Sequence, residues 1–118
     1  MVIGLSALIL FIPTAVAAPP AARPDIKEYA HHRALAYNLD PELFKAVIHC
    51  ESSWRSDAVG DNGTSFGLAQ LHYPTRDWGI ATSTALDPYA SIDIMADAWS
   101  RGESSRWTCW RMLKKLPQ

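Results

Sequence analysis

The chain has 118 residues, which bounds it to one domain with no room for a second independent core. Hydrophobic residues make up 48% and charged residues 19%, a globular composition and not a disordered one. Eleven Lys and Arg against twelve Asp and Glu leave a net charge of -1, so overall charge does not indicate a nucleic-acid binder and no such partner is expected.

Met1 to Ala22 carries no charged residue, and Ile3, Leu5, Leu8, Ile9, Leu10, Phe11 and Ile12 form a dense apolar run. Ala15-Val16-Ala17-Ala18 follows, an A-x-A-like cleavage site ending at Ala17. Residues 1–17 therefore read as a signal peptide or an N-terminal anchor, and the protein as exported: secreted, periplasmic or cell-wall associated. The apolar run before Pro13 is short for a full membrane span, so membrane contact is expected only through an uncleaved N-terminal segment. Residues 18–24 read as a stiff Pro/Ala linker with Pro19, Pro20 and Pro24, and residues 25–118 as the folded domain.

The folded part reads as all-α, with room for one small hairpin. A first helix is predicted from about Pro24 to Tyr37, a stretch with no internal breaker. Asp40-Pro41-Glu42 is a clear start for a second helix: an Asp cap, Pro at the first helical position and an acid in the first turn. It runs to about Ser52. Trp54 to Phe66 is rich in Asp, Ser, Gly and Asn and reads as a loop, in which Asp61-Asn62-Gly63-Thr64 can turn a hairpin. A short helix is predicted around Leu68 to Leu71. Asp87-Pro88 repeats the start signal, Ile92, Met95, Ala96 and Trp99 follow at helical spacing, and Gly102 stops that helix.

The two cysteines, Cys50 and Cys109, can form one disulfide in an exported protein. It would close a loop of about 60 residues and contribute on the order of 4 kcal/mol in the chain-entropy picture. The alternative is a pair of buried free thiols. A catalytic Cys is disfavoured, because His49 and Cys50 point about 100° apart on a helix and cannot pair as base and nucleophile.

Glu51 is the informative residue. Leu43, Val47 and Glu51 recur at intervals of four along the second helix, and Phe44 and Ile48 widen the same apolar stripe. A carboxyl group thus ends the apolar face of the central helix, with Trp54 beyond it on the same side if the helical turn continues. Partial burial there raises a carboxyl pKa and makes a proton donor at neutral pH. The plainer alternative is a Glu at a frayed helix end that reaches water.

Beyond Glu51-Ser52 and the polar loop comes Gly67-Leu68-Ala69-Gln70. The Glu-Ser pair at a helix end, a loop and then Gly-Leu-x-Gln resembles the soluble lytic transglycosylase family, relatives of goose-type lysozyme. The likeness covers roughly Ala30 to Leu71 and is loose across Asp87 to Trp110. It implies a compact lysozyme-like helical domain acting on peptidoglycan glycan strands, as a monomer and without cofactor. It also implies cleavage of the β-1,4 bond between N-acetylmuramic acid and N-acetylglucosamine, with Glu51 as the catalytic acid and then the base. Ser65, Gly67 and Gln70 match polar or close-approach positions near the bond. The family's late Tyr-Asn-Ala-Gly-like motif has no Tyr in its nearest counterpart, Ala98-Trp99-Ser100-Arg101-Gly102. Tyr73 and Tyr89 are the remaining candidates to line a sugar groove.

Asp57 and Asp61 are candidate second carboxylates. If either faces Glu51 with space for a water, hydrolysis by a muramidase mechanism becomes available; otherwise both are turn residues. A glycan-binding module without catalysis is the third alternative. His31, His32, His49 and His72 lack partners at zinc-ligand spacing, so no metal site is expected. Trp107 and Trp110 straddle Cys109 and read as a hydrophobic lid pinned over the core. The basic tail with Arg106, Arg111, Lys114 and Lys115 reads as a solvated face.

Overall fold

The computed structural model describes residues 3–12 and 22–117. Residues 3–12 are exposed and carry neither helix nor strand, and no helix among the described residues is long and apolar enough to cross a membrane. The cleavage site ending at Ala17, and Pro19 and Pro20 of the linker, lie outside the described residues.

Helix α1 spans Ile26–Ala36 and starts where the Asp25 carboxylate accepts the Lys27 and Glu28 N–H groups. It buries only Ala30 and Ala34, small residues that let it pack closely on its neighbours α2 and α4. Helix α2, Pro41–Ser52, has the bounds expected of it, and Asp40 caps the Glu42 and Leu43 N–H groups at 3.0 and 3.2 Å. Phe44, Val47 and Ile48 are fully buried and make α2 the central element. The helix stops at Ser53, whose φ of 52° is left-handed; Trp54 follows at 63°. The helical turn therefore does not continue, and Trp54 packs on the core from a turn instead of extending the Glu51 stripe.

The loop after α2 folds into a small antiparallel sheet: β1 (Val59–Gly60), β2 (Ser65–Phe66) and β3 (Leu71–His72), in that order. Asp61 to Thr64 turn the first hairpin, as expected. The second pairs Ser65 with His72 and Phe66 with Leu71. The short helix predicted around Leu68 does not form. Gly67 sits at φ +80° and Gln70 at 49°, both incompatible with a right-handed turn. Leu68 and Leu71 are buried all the same, so the apolar signal was sound and its period misread.

A π-helical turn at Pro74–Trp78 and a short helix α3, Thr82–Leu86, lead to α4, Pro88–Ser100. There Asp87 caps Ala90 N–H, and Ile92, Met95, Ala96 and Trp99 turn inward as their spacing requires. Gly102, at φ +80°, follows the end of α4. A single 3-10 turn, Ser104–Arg106, then reverses the chain into α5, Thr108–Lys114, which packs back on α2. Cys50 and Cys109 are bonded, with Cα atoms 6.0 Å apart, which removes the free-thiol alternative. Trp99 links the core layers, edge-on to Phe44 at 5.2 Å and to Trp107 at 6.2 Å. The domain is mainly α with a small sheet, as the sequence indicates.

Candidate active site

Glu51 lies in the last turn of α2, beyond the fully buried Val47 and Ile48. It opens into a groove of about 650 Å³ lined also by Asp61, Ser65, Gln70, Tyr73, His72, Trp78 and Trp107. The Cys109 N–H, in the first turn of α5, donates to Glu51 Oε1 at 3.3 Å. The disulfide therefore joins the residue beside Glu51 to the residue that donates to it. Burial is the largest influence on the Glu51 carboxyl and pushes its pKa up. The Cys109 hydrogen bond opposes that rise, the charge of Asp61 adds to it, and Arg111 opposes it.

The opposite wall is the hairpin segment. Ser65 is almost wholly buried, and its hydroxyl donates to Asp61 Oδ2 at 2.6 Å. Gln70 lines the groove while its Nε2 donates to the Ala58 and Gly67 carbonyls at 3.1 and 3.0 Å. A Cβ on Gly60 would meet Gln70 Oε1 at 2.3 Å, so glycine there leaves space for the amide. Tyr73 takes a left-handed φ of 45°, and Arg76 stacks over its ring at 3.7 Å.

Five of the residues singled out from the sequence thus meet in one groove: Glu51, Asp61, Ser65, Gln70 and Tyr73. Three do not line it. Gly67 packs against the backbone of α3, where a Cβ would meet Ala85 O at 2.0 Å; its lack of a side chain serves the fold and not a sugar. Tyr89 turns away, donating to the Pro24 carbonyl at 2.8 Å and meeting Tyr29 edge-on. Asp57 is exposed on the turn before β1, outside the groove lining. Ser52, beside Glu51, bonds back to the Ile48 carbonyl at 3.1 Å and only finishes the helix.

The sequence reading missed Trp78, Arg106 and Thr108 as lining residues and took His72 for an ordinary histidine. Arg106 belongs to the basic tail, yet its guanidinium stacks on Trp78 at 3.8 Å. Only the chain reversal before α5 brings that tail to the groove. Strand β3 is too short for its alternation, Leu71 in and His72 out, to be read from the sequence. Trp107 is buried as expected, its indole N–H donating to the Ala69 carbonyl at 2.8 Å, but one edge reaches the groove.

A family model described as the transglycosylase SLT domain matches residues 28–101, more than half of the chain. The chain belongs to this family. No curated protein and no solved structure matches it significantly. Membership makes this SLT domain a transglycosylase-type domain acting on peptidoglycan. The matched stretch includes Glu51, the hairpins and α4 but ends before α5. The clamp on Glu51 and the Arg106 side of the groove therefore lie outside the matched region.

Proposed function

We propose that this domain is an exported peptidoglycan lytic transglycosylase in which Glu51 acts first as acid and then as base. In the first step the Glu51 carboxyl proton passes to the glycosidic oxygen between N-acetylmuramic acid and N-acetylglucosamine, and the bond to the muramic anomeric carbon breaks. In the second, ionised Glu51 takes the proton of the muramic 6-hydroxyl. That oxygen attacks its own anomeric carbon and closes a 1,6-anhydro ring. Proton and bond counts balance within the substrate, and no water is consumed. Holding the attacking hydroxyl in the same sugar replaces a bimolecular step by an intramolecular one.

The observation that carries this reading is Glu51 itself: a carboxyl with a burial-raised pKa, at the end of the central helix, facing a groove of sugar dimensions. Gln70, which lines the groove, supplies polar groups for hydroxyl and acetamido contacts. The disulfide fits folding in an oxidising compartment, in line with export of the folded domain from residue 25 onward behind the N-terminal segment.

Incubating the purified domain with peptidoglycan and weighing the released fragments tests the proposal. Products should end in anhydro-muramic acid, lighter by one water than hydrolysed ends, and E51Q should release at least about a hundredfold less while remaining folded. Asp61 in the same groove favours one competing reading, a muramidase in which a second carboxylate activates water. Reducing muramic ends would establish it. Tight glycan binding by an unmodified but inactive domain would point instead to a binding module.

A further inference from the structure

The hydroxyl hydrogens of the polar wall can be counted. The Ser65 hydroxyl lies 2.6 Å from Asp61 Oδ2, and a carboxylate only accepts, so the hydroxyl hydrogen points there. The Thr64 hydroxyl hydrogen is likewise committed to the Asp61 carbonyl oxygen at 2.7 Å. His72 Nδ1 stands 3.0 Å from Ser65 Oγ and 3.3 Å from Thr64 Oγ1. Both oxygens have already given their hydrogen elsewhere, so Nδ1 must carry one. A directed chain results, from His72 Nδ1–H to Ser65 Oγ–H to Asp61 Oδ2, with the two ends only 3.8 Å apart. Strand pairing holds the chain in place: Ser65 is opposite His72 in the β2–β3 register, and Ser65 is 1% exposed.

We propose that His72 is a positioning residue for the cleavage reaction, its Nδ1–H acting through the buried Ser65 hydroxyl to hold the Asp61 carboxylate in the groove that Glu51 lines. This rests on the reading of Glu51 as the acid. A carboxylate on the turn before β2 would otherwise swing into water, because Asp61 is mostly exposed. Held in the groove, its charge faces the positive charge that develops at the anomeric carbon as the bond breaks. The same charge keeps Glu51 protonated to higher pH. The other charged or titratable groups at the groove are Arg106 and Tyr73, and Arg111 acts on Glu51.

The test uses H72L, H72N, S65A and their double variants, with E51Q as the reference for lost acid catalysis. An Asn amide nitrogen occupies nearly the place of imidazole Nδ1 and carries hydrogens, so H72N can still donate to Ser65. We expect H72L and S65A each to lose about tenfold in kcat, at a typical single-interaction cost. H72L combined with S65A should lose no more than either alone. H72N should recover most of the H72L loss. The alkaline limb of the H72L pH–rate profile should move to lower pH while its melting temperature stays near that of the parent. Wild-type rate and profile in H72L, beside an inactive E51Q, would overturn the positioning role and leave Glu51 standing. A readout independent of turnover is the ¹⁵N spectrum of the His72 ring. Neutral His72 should be protonated at Nδ1 in the parent and lose that preference in S65A. An Nε2–H tautomer in the parent would overturn the proposal even if E51Q proved inactive.

Discussion

The two walls of the groove are built by different physics. The Glu51 wall is helical, apolar behind its surface and covalently tied: α2 and α5 meet there, the Cys50–Cys109 bond spans them, and Trp107 is buried at the start of α5. The Asp61–His72 wall is made of turns. Asp61, Asn62, Gln70 and Tyr73 all sit at positive φ without being glycine, and side-chain hydrogen bonds add to the short strand pairs that hold it. A buried helical wall raises the proton affinity of one acid, and a polar wall of turns aims many groups at a substrate. Strain in such backbone positions costs on the order of 1 kcal/mol or more each and is maintained by the packing around it.

The sharpest way to break this comparison is at Glu51. E51Q keeps the Cys109 hydrogen bond through its amide oxygen but has no proton to give, so peptidoglycan cleavage should fall by about a hundred- to ten-thousand-fold. A residual rate near that of the parent would mean that the helical wall holds no acid. The covalent tie comes next. Replacing Cys50 and Cys109 together by Ser should lower the unfolding free energy by about 4 kcal/mol, read by urea denaturation. On the other wall, G67A brings a methyl group into the Ala85 carbonyl at 2.0 Å and at φ +80°, and should lower stability by about 3 kcal/mol. Q70L leaves the Ala58 and Gly67 carbonyls without their amide donor and should cost about 1–2 kcal/mol, together with weaker glycan binding.

The smallest effect separates the walls by pH. Burial raises the folded pKa of Glu51 above its unfolded value, so the folded state holds this proton more tightly. Its contribution to stability is complete below the unfolded pKa and is lost as pH rises through the folded one. E51Q is neutral throughout. Its stability relative to the parent should therefore rise from acid to neutral pH in urea titrations, by a small amount because the groove is open to water. A flat difference would show that Glu51 is not desolvated.

Much of the helical wall was legible in the residues. Asp40-Pro41 and Asp87-Pro88 marked helix starts because, in any fold, a capping carboxylate accepts orphan N–H groups of the first turn and a proline at the first position has none to satisfy. The interval of four from Leu43 to Glu51 put the acid at the end of the buried stripe for the same local reason. The polar wall was only half legible. Asp61-Asn62-Gly63 announced its turn, but Leu68 to Leu71 looked helical, since a buried apolar cluster has no clear period over so short a run. Tyr89 and Gly67 looked like groove residues because residue type carries no direction.

The sequence by itself determined the caps, the apolar stripe of α2 and the presence of a carboxyl at its end, all of which depend on neighbours within a few positions. Only the tertiary structure decided which distant groups surround that carboxyl. The α5 reversal carries Cys109, Trp107 and Arg106 to a helix almost sixty residues earlier, with Cys50 and Cys109 separated by 59. The β2–β3 register sets His72 against Ser65. Proton affinity is governed by everything within a few ångströms, and that neighbourhood exists only once the chain has closed on itself.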